Sequence, residues 1–180
     1  MAETILNLIA GGADDAVAIT APDRSSLSYS GLRALAAKTI ADMNALGIGR
    51  NDRVAIVLPN GPEMAAAFVA VGAGATTAPL NPGYRGEEFR FYLEDLGAKA
   101  LFVEAGSESP AIAVARDLGV DVFELAVLEG APAGAFEITT PADYSTGELT
   151  QGGPAEPDDV ALVLHTSGTT SRPKIVPLSQ

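Results

Sequence analysis

The chain has 180 residues, a formal net charge of −12, one histidine and no cysteine. This charge argues against nucleic acid as a partner, because phosphate backbones are bound by clustered cations. The sequence also offers neither a disulfide framework nor a metal site built from several His or Cys ligands. The N-terminus lacks the basic region of a secretory signal, and the longest apolar run, residues 64–75, is too short to span a bilayer. We therefore expect a cytoplasmic protein without a transmembrane segment.

Local patterning predicts an α/β protein. Residues 17–20 and 27–29 are predicted as a β-hairpin, and Ser30 is predicted to cap a helix that runs to about Leu46. From Arg53 onwards apolar strands alternate with helices. The predicted strands are 53–58, 76–80, 99–104 and 120–125, and the predicted helices are 63–74, 87–96 and 110–118. This alternation indicates βαβ units, and hence a parallel sheet flanked by helices with right-handed crossovers.

The following segment, residues 130–157, is rich in Gly, Pro, Thr and Ala and shows little periodicity. We predict that it is an irregular excursion or linker. Charge is uneven here, since residues 104–159 contain twelve acidic residues and a single base, Arg116. We interpret these carboxylates as a solvated face.

The stretch H-T-S-G-T-T-S-R-P-K, residues 165–174, combines hydroxyls, a glycine and two cations. Hydroxyls and backbone N–H groups can donate to phosphate oxygens, glycine allows close approach, and the cations offset negative charge. Apolar strands are predicted before it, at 160–164, and after it, at 175–178, and Pro173 and Pro177 argue against a helix. The pattern indicates a strand, a flexible phosphate loop and a second strand. The alternative is an ordinary surface turn, because Ser, Thr and Gly are common in turns.

These residues resemble the adenylate-forming (AMP-binding) enzymes, which include acyl-CoA synthetases, luciferases and adenylation domains. Residues 166–174 match the family motif T-S-G-[ST]-T-G-x-P-K-G, except that Ser171 and Ile175 replace glycines. Residues 27–32 resemble the element L-[ST]-Y-x-x-L, and residues 72–82 resemble G-A-x-x-x-P-[LI]-[ND]-P. The loop sequence followed by V-P-L-S is similar to the oxalate–CoA ligase branch.

The resemblance implies activation of a small-molecule carboxylate by ATP, followed by transfer to coenzyme A, with Mg2+ as a further cofactor. The implied ATP-binding residues are Thr166, Ser167, Gly168, Thr169, Thr170 and Lys174. Lys174 would also stabilise the leaving group as the catalytic residue, whereas Arg172 could equally face solvent. No residue is predicted to bind a metal directly.

Other candidate residues have less demanding interpretations. His165 stands where the family often has tyrosine, so a packing or orienting role is favoured over that of a base. Tyr29, Tyr84 and Tyr92 are expected in the core or at its rim, and residues 81–85 are interpreted as a turn rather than a substrate entrance.

The resemblance also implies that residues 1–180 form the N-terminal part of an AMP-binding domain, with the acyl pocket and the C-terminal catalytic lysine in an absent remainder. An open face left there could pair two copies as a homodimer. Two alternatives stay open: a non-catalytic nucleotide- or anion-binding module, and an adenylation domain that loads a carrier protein.

Overall fold

The computed structural model describes residues 3–142, 144–166 and 173–180. Within these ranges no helix has the combined length and apolar character of a membrane span. The elements follow one another as α1 (Ile5–Ala10), β1 (Val17–Ile19), β2 (Leu27–Ser28), α2 (Tyr29–Ala45), β3 (Arg53–Val57), α3 (Pro62–Gly72), β4 (Thr76–Pro79), α4 (Gly86–Leu96), β5 (Ala100–Glu104), α5 (Pro110–Asp117), β6 (Asp121–Ala126), β7 (Glu137–Thr139), β8 (Val160–Thr166) and β9 (Lys174–Ser179).

The main sheet of the described part has the strand order β7-β6-β5-β3-β4-β8-β9. Its inner strands β6, β5, β3, β4 and β8 are parallel, as the alternating pattern predicted. The edge strands β7 and β9 run antiparallel to their neighbours. The fold is therefore a mixed α/β sheet whose parallel interior is bordered by an antiparallel strand on each side.

The sheet separates two hydrophobic cores, because successive side chains of a strand point to opposite faces. In β3, Val54 and Ile56 join the core beneath α2 and α3, whereas Ala55 and Val57 join the core beneath α4 and α5. All four are at most 3% exposed. Burial on both faces explains why this strand is continuously apolar in sequence.

The N-cap of helix α2 lies two residues earlier than the sequence predicts. Ser28 is the N-cap, and its side-chain oxygen accepts a hydrogen bond from the Gly31 N–H at 3.1 Å. The prediction that Ser30 caps this helix is wrong, because the Ser30 hydroxyl donates instead to the carbonyl of Asp14 at 2.8 Å. Helix α1 was also missed, since its six residues are too few to show helical periodicity.

The segment 130–157 is only partly irregular and is not a free linker. It contains β7, which pairs with β6. Further along, the Tyr144 hydroxyl donates to the carbonyl of Leu46 at 2.7 Å, and the side chain of Asn44 accepts from the Gly153 N–H at 2.6 Å. The segment is therefore held against the C-terminal end of α2.

Candidate phosphate-binding site

The carboxyl ends of the parallel strands meet at one edge of the sheet. The connection after β3 passes over one face through α3, whereas the connection after the adjacent β5 passes over the other face through α5. Such a switch point is where open α/β sheets form ligand crevices. A cavity of about 160 Å³ lies here, lined by Leu58, Pro59, Asn60, Gly61, Pro62, Glu63, Glu104, Leu125 and Val127. The topology therefore indicates a ligand-binding site at this edge of the sheet.

The β8–β9 hairpin opens at the same edge. Its strands pair antiparallel, and Thr166 at the end of β8 lies opposite Lys174 at the start of β9. Both residues are exposed. The two strands predicted on either side of residues 167–172 are therefore present and paired with each other.

The structure brings together two of the candidate phosphate ligands, Thr166 and Lys174. The candidates Ser167, Gly168, Thr169 and Thr170 lie outside the described residues, as does Arg172. The predicted flexible flap consists mainly of these residues, so that prediction also lies outside the described part of the chain.

His165 packs against α4, in agreement with its interpretation as a packing or orienting residue. Its Nε2 atom lies 3.0 Å from Oδ2 of Asp95, and its side chain is 7% exposed. Its ring meets Tyr92 edge to face, with ring centres 4.7 Å apart and planes at 70°.

The turn between β4 and α4 lies beside the hairpin. Asn81 closes it, because its side-chain oxygen accepts from the Gly83 N–H at 2.9 Å, which supports the interpretation of residues 81–85 as a turn. The rings of Tyr84 and Tyr92 stack with centres 4.9 Å apart. Interaction with the Tyr92 hydroxyl and desolvation raise the pKa of Tyr84 to about 12. Tyr84 therefore remains neutral at physiological pH.

A buried polar network anchors the opposite, amino end of β8. Asp159 is 6% exposed and accepts hydrogen bonds from Arg50 Nε at 2.6 Å and Asn51 Nδ2 at 2.7 Å. Burial alone would raise the pKa of Asp159, but the hydrogen bonds from Arg50, the Glu156 N–H and Asn51 outweigh it and lower that pKa. The interpretation of all carboxylates in 104–159 as a solvated face is therefore wrong for Asp159, whose partners lie far away in sequence.

Strand β9 is fixed by a second contact that the sequence did not indicate. The Gln180 side chain accepts from the Ile5 N–H at 3.0 Å and donates to the carbonyl of Gly72 at 2.8 Å. Its backbone N–H donates to the carbonyl of Asp159 at 3.0 Å. This residue joins the hairpin to α1 and α3, so the base of the hairpin is anchored on both strands.

The fold is that of the N-terminal part of an adenylate-forming ligase. The chain belongs to the AMP-binding enzyme family, whose model matches residues 9–180.

Similar proteins include the oxalate–CoA ligase of Arabidopsis thaliana, which is 40% identical over 174 residues and is aligned over 88% of this chain and 32% of its own. The probable CoA ligase CCL9 of Humulus lupulus is 36% identical over 98% of this chain and 34% of its own. Apo MatB from Rhodopseudomonas palustris superposes with a TM-score of 0.74 at 27% identity, over 99% of this chain and 35% of that structure. The chain thus spans about a third of the length of the relatives it matches.

Proposed function

We propose that this chain is the phosphate-binding N-terminal portion of an ATP-dependent acyl-CoA synthetase. In the first step a carboxylate oxygen attacks the α-phosphorus of ATP, giving acyl-adenylate and pyrophosphate. In the second step the thiol of coenzyme A attacks the acyl carbon and AMP leaves. Family membership and the CoA ligases among the relatives support this reaction.

The observation that carries the proposal is the position of Thr166 opposite Lys174 at the open end of the β8–β9 hairpin. A loop rich in hydroxyls begins and ends there, at the sheet edge where α/β proteins bind ligands. Among the described residues, no carboxylate lies within ion-pair distance of the Lys174 ammonium group. Its charge is therefore available to an anionic ligand.

In this proposal the loop residues act by positioning and charge stabilisation. Thr166, Ser167, Thr169 and Thr170 donate hydrogen bonds to β- and γ-phosphate oxygens, and Gly168 allows close backbone approach. Lys174 offsets the charge that accumulates on the leaving pyrophosphate. Such preorganised groups supply most of the catalysis in phosphate-transfer chemistry.

The proposed reaction includes Mg2+, which would screen the phosphate charges. The described residues contain no group of three His, Asp or Glu side chains that could hold a metal ion. We therefore assign no residue of this chain to the metal and no step of the reaction to it.

We propose oxalate as the first carboxylate to test. The chain is 40% identical to a protein named oxalate–CoA ligase, and its loop sequence H-T-S-G-T-T-S-R-P-K is similar to that branch. We also propose a cytoplasmic location, no nucleic-acid partner and a homodimer. The net charge of −12 supports the absence of a nucleic-acid partner.

The test is carboxylate-dependent ATP–pyrophosphate exchange by the full-length protein that contains this chain, with oxalate and short and long fatty acids as substrates. Exchange that requires a carboxylate, followed by thioester formation with coenzyme A, is the expected result. Thioester formation on a carrier protein instead of coenzyme A would identify the carrier-loading alternative. ATP binding without any exchange would contradict the proposed ligase activity and favour a non-catalytic nucleotide-binding module.

A further inference from the structure

The end of β8 extends beyond the strand that supports it. Strands β4 and β8 are paired at Thr77 and Leu162, and β4 ends at Pro79. In this parallel register Pro79 lies level with residue 164, so His165 and Thr166 lie beyond the end of β4. On their other side they pair with β9, which belongs to the same hairpin. The part of β8 that leads into the loop is therefore not positioned by the β4 ladder.

The side chain of His165 connects this projecting end of β8 to helix α4. Its Nε2 is 3.0 Å from Oδ2 of Asp95, and its ring lies edge to face on Tyr92, one turn earlier in α4. Since a carboxylate oxygen is a hydrogen-bond acceptor, we assign this contact as a hydrogen bond from the Nε2–H of His165 to Oδ2 of Asp95. This hydrogen bond and the ring contacts with Tyr92 and Phe91 together restrain both the position and the twist of the strand end.

We propose that His165 is a positioning residue for the phosphate loop, held by Asp95 and Tyr92. It determines where Thr166 and the loop begin and, through the Thr166–Lys174 pair, where the Lys174 ammonium group stands. This inference rests on the proposed function of that loop. Misplacement of a reacting group by about 1 Å costs on the order of a hundredfold in rate.

The His165–Asp95 contact positions the end of β8 but contributes little to the free energy of unfolding. Asp95 is 41% exposed, and ion pairs or hydrogen bonds at the surface contribute little to the free energy of unfolding. We therefore expect substitutions of Asp95 to leave the protein folded and to alter the reaction step that uses the loop.

The experiment uses the full-length protein and measures the two half-reactions separately. His165→Ala and Asp95→Ala should each slow adenylate formation by about tenfold or more at saturating substrates. Transfer to coenzyme A from preformed acyl-adenylate should change by less than about twofold, because pyrophosphate has already left. The rate should be largely restored in His165→Gln, which keeps an N–H donor, and in Asp95→Asn, which keeps an oxygen acceptor.

Two comparisons separate positioning from a general loss of structure. In the double variant His165→Ala/Asp95→Ala adenylation should be no slower than in His165→Ala, because both changes break one contact. Arg90→Gln is the matched control, since Arg90 is on α4 but forms ion pairs with Asp117 and Glu94. It should leave both half-reactions unchanged.

If the wild-type enzyme is active and both Asp95→Ala and His165→Ala adenylate at its rate, the positioning role of His165 is wrong, whereas the proposed function stands. Equal slowing of both half-reactions would overturn it as well, because a structural defect predicts that result. A wild-type enzyme without exchange on any carboxylate would overturn the proposed function, and this inference with it. Amide hydrogen exchange of residues 174–176 gives a readout independent of activity, and faster exchange in His165→Ala than in Arg90→Gln is expected.

Discussion

At the residue scale, Lys174 is the described side chain with the most direct role in the proposed chemistry. Replacing it with alanine removes the charge that would stabilise the departing pyrophosphate. We expect Lys174→Ala, and likewise Thr169→Ala, to slow adenylate formation by roughly tenfold to a thousandfold, as losses of positioned donors do. Thioester formation from preformed adenylate should be much less affected. Single-turnover measurements of each step check this.

Lys38→Ala is the control for the loss of one exposed lysine. Lys38 forms an ion pair with Asp42 one turn along α2, and hydrogen bonding to Asp42 raises its pKa. This variant should adenylate at the wild-type rate. Unchanged single-turnover adenylation in both Lys174→Ala and Thr169→Ala would show that the loop role is wrongly assigned.

Asp159 governs stability at the base of the hairpin. Its replacement by alanine leaves Asn51 Nδ2 and the Glu156 N–H without an acceptor. An unsatisfied buried donor costs about 1–3 kcal/mol, and because these two donors are only partly buried we expect a total loss of about this size in the free energy of unfolding near neutral pH. Chemical denaturation of the 180-residue chain measures it.

The lowered pKa of Asp159 gives this effect a pH dependence of known sign. Because the folded pKa lies below the ordinary value of 3.8, the carboxylate contributes its stabilisation above that value. The contribution is lost as pH falls through the folded pKa. The difference between wild type and Asp159→Ala should therefore shrink in acid, whereas Asp117→Ala, at an exposed ion pair, should show little difference at any pH. A difference for Asp159→Ala that stayed constant down to about pH 2 would contradict this account.

At the scale of elements, the start of α2 tests the corrected cap. Ser28→Ala removes the acceptor for the Gly31 N–H and should lower the free energy of unfolding by about 1 kcal/mol. Ser28→Asp keeps an acceptor at the same position and should retain most of the stability. Thermal or chemical unfolding of the chain gives both values.

Ser30→Ala is the comparison for that prediction. Its hydroxyl donates to the carbonyl of Asp14, an exposed bond outside the helix. The variant should cost less than Ser28→Ala, because water can replace an exposed partner. A larger loss for Ser30→Ala than for Ser28→Ala would restore Ser30 as the effective cap.

At the scale of the whole molecule, we predict that the 180-residue chain folds alone but does not catalyse the reaction. Its two cores can support a compact unit at this length. It spans about a third of the relatives' length, and phosphate contacts in an exposed ionic site give weak, salt-sensitive ATP binding. Cooperative unfolding together with no carboxylate-dependent exchange is expected. Exchange clearly above background would show that these residues form a self-sufficient active site.

The parallel interior of the sheet could be predicted from sequence because its signals are local. Strand β3 is apolar from Val54 to Val57, and α4 is capped by Gly97, whose φ of +56° suits glycine, so each boundary is marked by neighbouring residues. Strands β8 and β9 were predicted in the same way, from two apolar runs on either side of a stretch of hydroxyls. The roles assigned to Ser167, Thr169 and Thr170 remain predictions.

The sequence by itself determined the fold class, the alternation of strands and helices from β3 to β6, and the motif that resembles the family, but it did not indicate α1 or β7. Only the tertiary structure decided that β4 lies beside β8, that both edges are antiparallel, and that His165 meets Asp95, 70 residues away, and Asp159 meets Arg50, 109 residues away. The physical reason is the separation in sequence over which each kind of interaction acts. Helical and strand periodicity is set by residues a few positions apart, whereas strand order and buried polar contacts depend on distant segments that meet only after the sheet has assembled.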